Sequence, residues 1–238
     1  MRFLKILLTA FTIFSAHTAS AQNVDKIQVD KDRYFGENFE LTIQKAEKGD
    51  PGSQYMVGWS FRDGIKTSKN HQQARHWFEL AAKQNFRPAI FNLGVMHFEG
   101  NGIPQDTEKG MSYFLKAHSL EFPPATEELG RIYIFGRNGI EKDVKKGIDY
   151  LTQSADQGMH KSIYLMAHAY LKGLGVQKDE YKGIIMLIDA ANKGLEWAQA
   201  DIKHYEKQNG ITFQEYLKEK FNHIEPPYSW KEKRYMRE

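Results

Sequence analysis

The chain has 238 residues, 33 basic against 30 acidic side chains, and no cysteine. The absence of thiols excludes disulfides, a cysteine nucleophile, a thiolate metal site and a cysteine-linked lipid anchor, so stability has to come from packing. The near balance of charge argues against nucleic acid as the main partner.

Residues 1–21 read as a cleaved secretory signal: "MRFLK" is a basic start, "ILLTAFTIFSA" an apolar run, and Ala19-Ser20-Ala21 a small-x-small cleavage site. A membrane anchor is the alternative, but the run is short for a span and the polar "QNVDKIQVDKDR" follows at once. The mature chain then starts at Gln22, without Arg2 and Lys5, and no stable membrane insertion is expected of it. Residues 22–40 form an N-terminal capping segment, and "VDKDRYFGENFELTIQKAEKG" supplies an opening helix.

From 41 to 210 the chain repeats itself. "GNGIPQD" from Gly100 returns as "GRNGIEKD" from Gly136 and "GLGVQKD" from Gly173. Ala46, Ala82, His118, Ala155 and Ala191 hold one equivalent position at steps of 36, 36, 37 and 36 residues. The extra residue falls inside "GRNGIEKD", in a loop, where insertions belong. Apolar spacing predicts two helices per unit, the first over 52–63, 88–99, 124–135 and 161–172, the second over 71–83, 107–118, 144–156 and 180–192. Glycine suits the tight turn between them, with Ile103, Ile140 and Val176 plugging it into the core. Asn70, Asp106, Asp143 and Asp179 stand at N-caps; Gly49, Asn85, Gly158 and Gly194 stand where a left-handed residue closes the second helix. A phosphate cradle would need a preceding strand and a lysine or dinucleotide spacing, and neither is present.

A small residue, Leu-Gly, an aromatic, "G-x-G-(I/V)-x-x-D" and a closing Ala-Ala resemble the Sel1-like repeat, a relative of the tetratricopeptide repeat with a longer inter-helix loop. The likeness covers roughly residues 41–205; "DGIKTSKN" replaces the full loop in the first unit, Ala167 the usual glycine and His97 the usual aromatic. It implies an all-α fold: a right-handed α-solenoid of about four helix-turn-helix repeats with helical caps. Residues 211–238 are expected to hold a C-terminal capping helix and polar tail, with Thr212 and Glu215 as a capping box before "FQEYLKEKFNHI" and Pro226-Pro227 stopping it.

On the first helices Ser53, Val57, Ser60, Phe61 and their repeat equivalents share one side, and a second stripe lies opposite. It comprises Tyr55, Trp59 and Arg62, then Phe91, Val95 and Phe98, then Glu127, Arg131 and Ile134, then Tyr164, His168 and Leu171. A solvated face would be Lys, Glu and Gln. First helices line the concave side in arrays of this kind, as the resemblance implies, so the stripe reads as a partner groove with Trp59 and Tyr164 as anchors. The alternative is that opposite walls or terminal helices fill it and the stripe is core.

Local chemistry is not legible. Among the nine histidines no H-E-x-x-H occurs, His71 and His76 turn to different helix faces, and His97 fills a core aromatic slot. No G-x-S-x-G elbow is present, and Glu127 and Glu128, being adjacent, diverge on a helix. No catalytic residue, cofactor or metal is expected, and the chain is read as a non-enzyme. Residues 1–21 point to an exported bacterial protein, periplasmic or secreted, and the resemblance implies adaptor and assembly roles, that is, work by binding a protein. Small exported members include immunity proteins that block toxic effectors, phospholipases among them, delivered by contact-dependent or type VI secretion. A cell-envelope or host-facing scaffold is the second reading, and an envelope hydrolase a distant third.

Overall fold

The structure, a computed structural model, describes residues 39–220. The expected signal, most of the N-terminal capping segment and the tail with Pro226-Pro227 lie outside the described residues.

The described residues form eleven helices and no strand. They are α1 (Phe39–Glu47), α2 (Pro51–Asp63), α3 (His71–Lys83), α4 (Arg87–Glu99), α5 (Thr107–Ser119), α6 (Pro123–Phe135), α7 (Val144–Asp156), α8 (His160–Lys172), α9 (Glu180–Asn192), α10 (Glu196–Asn209) and α11 (Phe213–Lys220). Each first helix begins one residue before the sequence-based expectation. Pro51 and Pro88 sit in the opening turns of α2 and α4, where a missing N–H costs nothing and φ is already helical.

The expected N-caps form. Asn70, Asp106, Asp143 and Asp179 accept from the backbone N–H of Gln73, Lys109, Lys146 and Lys182 at 3.0, 2.9, 3.0 and 2.9 Å. Each contributes about 1 kcal/mol by satisfying a donor the helix leaves open. At the other ends Gly49, Asn85, Gly158 and Gly194 take positive φ as expected; Glu121 does so too, at 57°, in a place the sequence offers no glycine or asparagine to mark.

The chain divides into two compact units at Leu129, within α6. In the 39–128 unit, α4 and α5 cross closely because Gly94 and Gly110 face one another's helix. A Cβ on Gly94 would stand 2.7 Å from the Phe114 ring, and one on Gly110 would stand 2.7 Å from the Phe98 backbone. Phe114 then meets Phe91 and Phe98 at 5.6 Å each, and Phe122 closes on Phe91 at 5.7 Å. Tyr55 repeats the arrangement one repeat earlier in the same unit, with Phe78 at 5.7 Å and Phe86 at 5.5 Å.

In the 129–220 unit the core gathers Leu151, Ile163, Met166, Ile184, Leu187 and Ala198 around the same crossing. Here Leu151 lies over Gly130, and Leu171 over Gly183. Each such buried aliphatic side chain contributes roughly 1.5–3 kcal/mol. α11 closes this unit: Phe213 packs on Tyr205 at 4.6 Å, and the Tyr216 hydroxyl and Lys220 ammonium donate to Glu180 at 2.7 and 2.8 Å. Its start is the expected capping box, in which Glu215 accepts from the Thr212 N–H at 2.7 Å and the Thr212 hydroxyl accepts from the Glu215 N–H at 3.1 Å.

Candidate partner-binding site

The first helices α2, α4, α6 and α8 are buried nearly all round, whereas the second helices α3, α5 and α7 keep a wet outer face and α9 is nearly as buried as the first helices. That is why the stripe opposite the shared core positions is aromatic: a helix with neighbours on several sides has little use for charge. Within the 39–128 unit Phe98 is fully buried, Phe91 is 3 % exposed, and both are held in the phenylalanine cluster around Phe114. Tyr55, Trp59 and Glu127 are also buried, and Val95 is half-buried.

Arg62 keeps more contact with water, and its fork is fixed. Nε and Nη2 donate to Asp63 at 2.8 and 2.9 Å, and Nη1 donates to the Asn92 side-chain oxygen in a short contact. Asn92 in turn donates to the Pro88 carbonyl at 2.8 Å. Burial pushes the Tyr55 phenol up, with Arg62 pulling the other way.

In the 129–220 unit Ile134 and Leu171 are buried and Arg131 is half-buried. Tyr164 and His168 converge on a residue that the stripe did not include. The Tyr164 hydroxyl donates to Asp201 Oδ2 at 2.9 Å, and His168 Nε2 lies 3.2 Å from the same oxygen. The Tyr164 and His168 rings meet edge to face at 4.6 Å. Beside them Trp197 is 43 % exposed, with the Lys161 ammonium 5.0 Å from its ring centre. Desolvation brings the Lys161 amine down to about 8, and that of Lys172 to about 8 despite the Asp201 charge. Burial, reinforced by Asp201, pushes the Tyr164 phenol above its ordinary range.

An Asp–His pair is the setting in which an imidazole serves as a general base. Here the other ring nitrogen, His168 Nδ1, is sealed from solvent without a hydrogen-bond partner, so no substrate reaches it. What the arrangement can do is hold Tyr164 and α10 in register and leave Trp197, Lys161 and one edge of Asp201 at the surface. Among the described residues no cluster of three or more His, Asp and Glu side chains is placed to hold a metal, and no helix is long and apolar enough to cross a membrane.

Asp201, Trp197 and Lys161 lie outside the stripe that periodicity singles out. Continuing the 36–37-residue register into "LEWAQADIKHYEKQ" puts Trp197 at the position of Lys161, and Asp201 at that of Leu165. The stripe's own equivalents there are Ala200, His204 and Lys207, so extending it does not reach Trp197 or Asp201.

Residues 51–86, 87–120, 123–159 and 160–195 each match the Sel1 repeat. The chain therefore belongs to the Sel1 repeat family, an all-α solenoid fold built for protein–protein interaction. Among solved structures it is similar to a protective antigen of uropathogenic Escherichia coli strains, with 31 % identity and a TM-score of 0.65 over 74 % of this chain and 38 % of that one. A Sel1 repeat protein from Oxalobacter formigenes is similar at 27 % identity and a TM-score of 0.63, over 73 % of this chain and 78 % of that one. The chitin synthase regulator SKT5 of Saccharomyces cerevisiae is 27 % identical, over 71 % of this chain and 31 % of its own length. The chain spans 12 to 31 % of the length of the curated relatives it matches first.

Proposed function

We propose that this protein is an exported, non-catalytic binding protein that captures a protein partner. Its specific role is immunity, the neutralisation of a secreted toxic effector such as a phospholipase. The observation that supports capture is the surface at Trp197: a half-exposed indole with a cation against it, on a helix tied down through Tyr164, His168 and Asp201. Aromatic anchors held rigid before binding lose little entropy on association, which tight inhibition requires. Within the 129–220 unit the half-buried Arg131 adds to the proposed contact set, and Arg62 and Val95 form a separate proposed contact face of the 39–128 unit. The export reading rests on the sequence of residues 1–21.

The test is capture by immobilised residues 22–238 from secreted fractions of the source bacterium and its competitors, beside Trp197→Ala with Lys161→Glu. A single effector whose toxicity is abolished at equimolar protein, and which the variant loses, is the expected result. Several weak partners retained equally by both proteins would put a scaffold in its place.

A further inference from the structure

Two positions differ in kind between the units; the buried imidazole of the 129–220 unit, His168, has Nε2 3.2 Å from Asp201, a carboxylate that can accept from it. His97, near the end of α4, is 5 % exposed, and neither of its ring nitrogens has a hydrogen-bond partner. Its ring stacks on Tyr113 at 5.6 Å. The charges facing it are Lys109 of α5, Asp106 at the cap of α5, and Arg75 and Glu79 of α3. In the 129–220 unit the same repeat position holds Tyr133 and Tyr170. Each phenol oxygen there accepts from a lysine, Lys146 or Lys182, at 2.9 Å, with the ammonium 4.1 Å over the ring.

The second position is His71, which opens α3. Its ring lies under the turn at Gly102 so closely that a Cβ there would come within 2.1 Å of it. His71 Nδ1 is buried without a partner, and the charges around the ring are Lys69, Arg62 and Asp63. Its counterpart beneath Gly175 is Val144.

We propose that His97 and His71 make the 39–128 unit an acid-triggered opening device, in which protonation loosens the α3–α4–α5 packing while the 129–220 unit stays closed. A neutral imidazole without partners is tolerable in an apolar contact. At His97 an imidazolium buries a charge and two N–H donors that meet no acceptor, which is far costlier; at the half-buried His71 one such donor, Nδ1, is sealed away. Lys109 and Arg75 add repulsion at His97; Asp106 and Glu79 oppose it only in part. Desolvation accordingly holds both imidazoles below their ordinary 6.5. The opened unit binds more protons than the closed one, so stability is full above about pH 6.5 and falls as pH drops through that value toward the depressed folded ones. The device is a property of the fold and holds whatever the partner.

Hydrogen exchange of the full chain at pH 7.5 and pH 5, corrected for the intrinsic pH effect, tests this beside His97→Tyr with His71→Val. The expected result is a loss of protection in α3–α5 on acidification at least tenfold greater than in α7–α9, and abolished in the double variant. Equal loss in both units, no loss at pH 5, or an unchanged response in the variant would overturn it. Should the double variant not fold, imidazole NMR titration of the wild-type chain decides: His97 and His71 titrating below 6.5 support the device, and values at or above 6.5 overturn it.

Discussion

The Tyr164 hydroxyl donates to Asp201 at 2.9 Å across a separation of one repeat and one residue, linking first helix to next first helix. Asn92 stands in the same relation to Tyr55 and is within hydrogen-bonding reach of it. A tyrosine in one first helix and a polar residue 37 positions on thus form a recurring tie.

Removing the acceptor should cost more than removing the donor. Asp201→Ala leaves a buried phenol without its acceptor and is expected to destabilise by about 1–3 kcal/mol, whereas Tyr164→Phe should cost about 1 kcal/mol. Urea unfolding of both, with the double variant to close the cycle, measures the coupling; a coupling of zero would show the tie to be incidental.

Two loop glycines with nearly the same backbone should respond differently. Gly102 has φ 73° and touches His71, while Gly139 has φ 83° and nothing within 4 Å of a would-be Cβ. Gly139→Ala is expected to cost about 1 kcal/mol, the backbone strain alone, and Gly102→Val at least about twice that. Thermal melts would settle the ranking, and equal losses would mean that the His71 contact is soft.

The crossing of α4 and α5 should be intolerant of a single methyl group. Gly94→Ala drives a Cβ into the Phe114 ring and is expected to destabilise by about 1–3 kcal/mol, with partial relief from Phe114→Leu in the same chain. Absence of relief would locate the strain elsewhere.

Lys161 and Lys172, both brought to about 8, should be the amines that lose their charge first as pH rises. The unfolded chain holds those protons up to about 10.4, so between about 8 and that value it binds more protons than the folded chain. Their contribution to stability therefore grows as pH rises through this window and is lost as pH falls back through about 8. NMR titration of the lysine side chains reads this directly, and midpoints near 10.4 for both would contradict it.

The fold was legible because each repeat states its own punctuation. Asp106, Asp143 and Asp179 mark starts, Gly158 and Gly194 mark stops, and the spacing between them carries the register. Glu121 escaped because glutamate has no preference for positive φ; there the Glu121 and Phe122 N–H groups close the helix end on the His118 and Ala117 carbonyls. The candidate site was harder for a different reason. Periodicity reveals that Phe98 and Tyr164 lie off the shared core side, but not that α5 covers the one and α10 the other. Only tertiary neighbours decide whether an aromatic face meets water, and Trp197 lies outside the stripe, at the repeat position of Lys161.

Each N-cap carboxylate bonds within its own helix: Asp143 to Lys146, Asp179 to Lys182. Deleting or copying one 36-residue module at its boundaries would therefore strand no backbone donor, and the new junction would need only a small residue opposite each crossing. Chain length in such a protein changes in whole modules, each adding or removing one repeat's own stability and one interface. Recombination between repeats would then extend or shorten the surface one module at a time, where a point mutation redraws a single side chain.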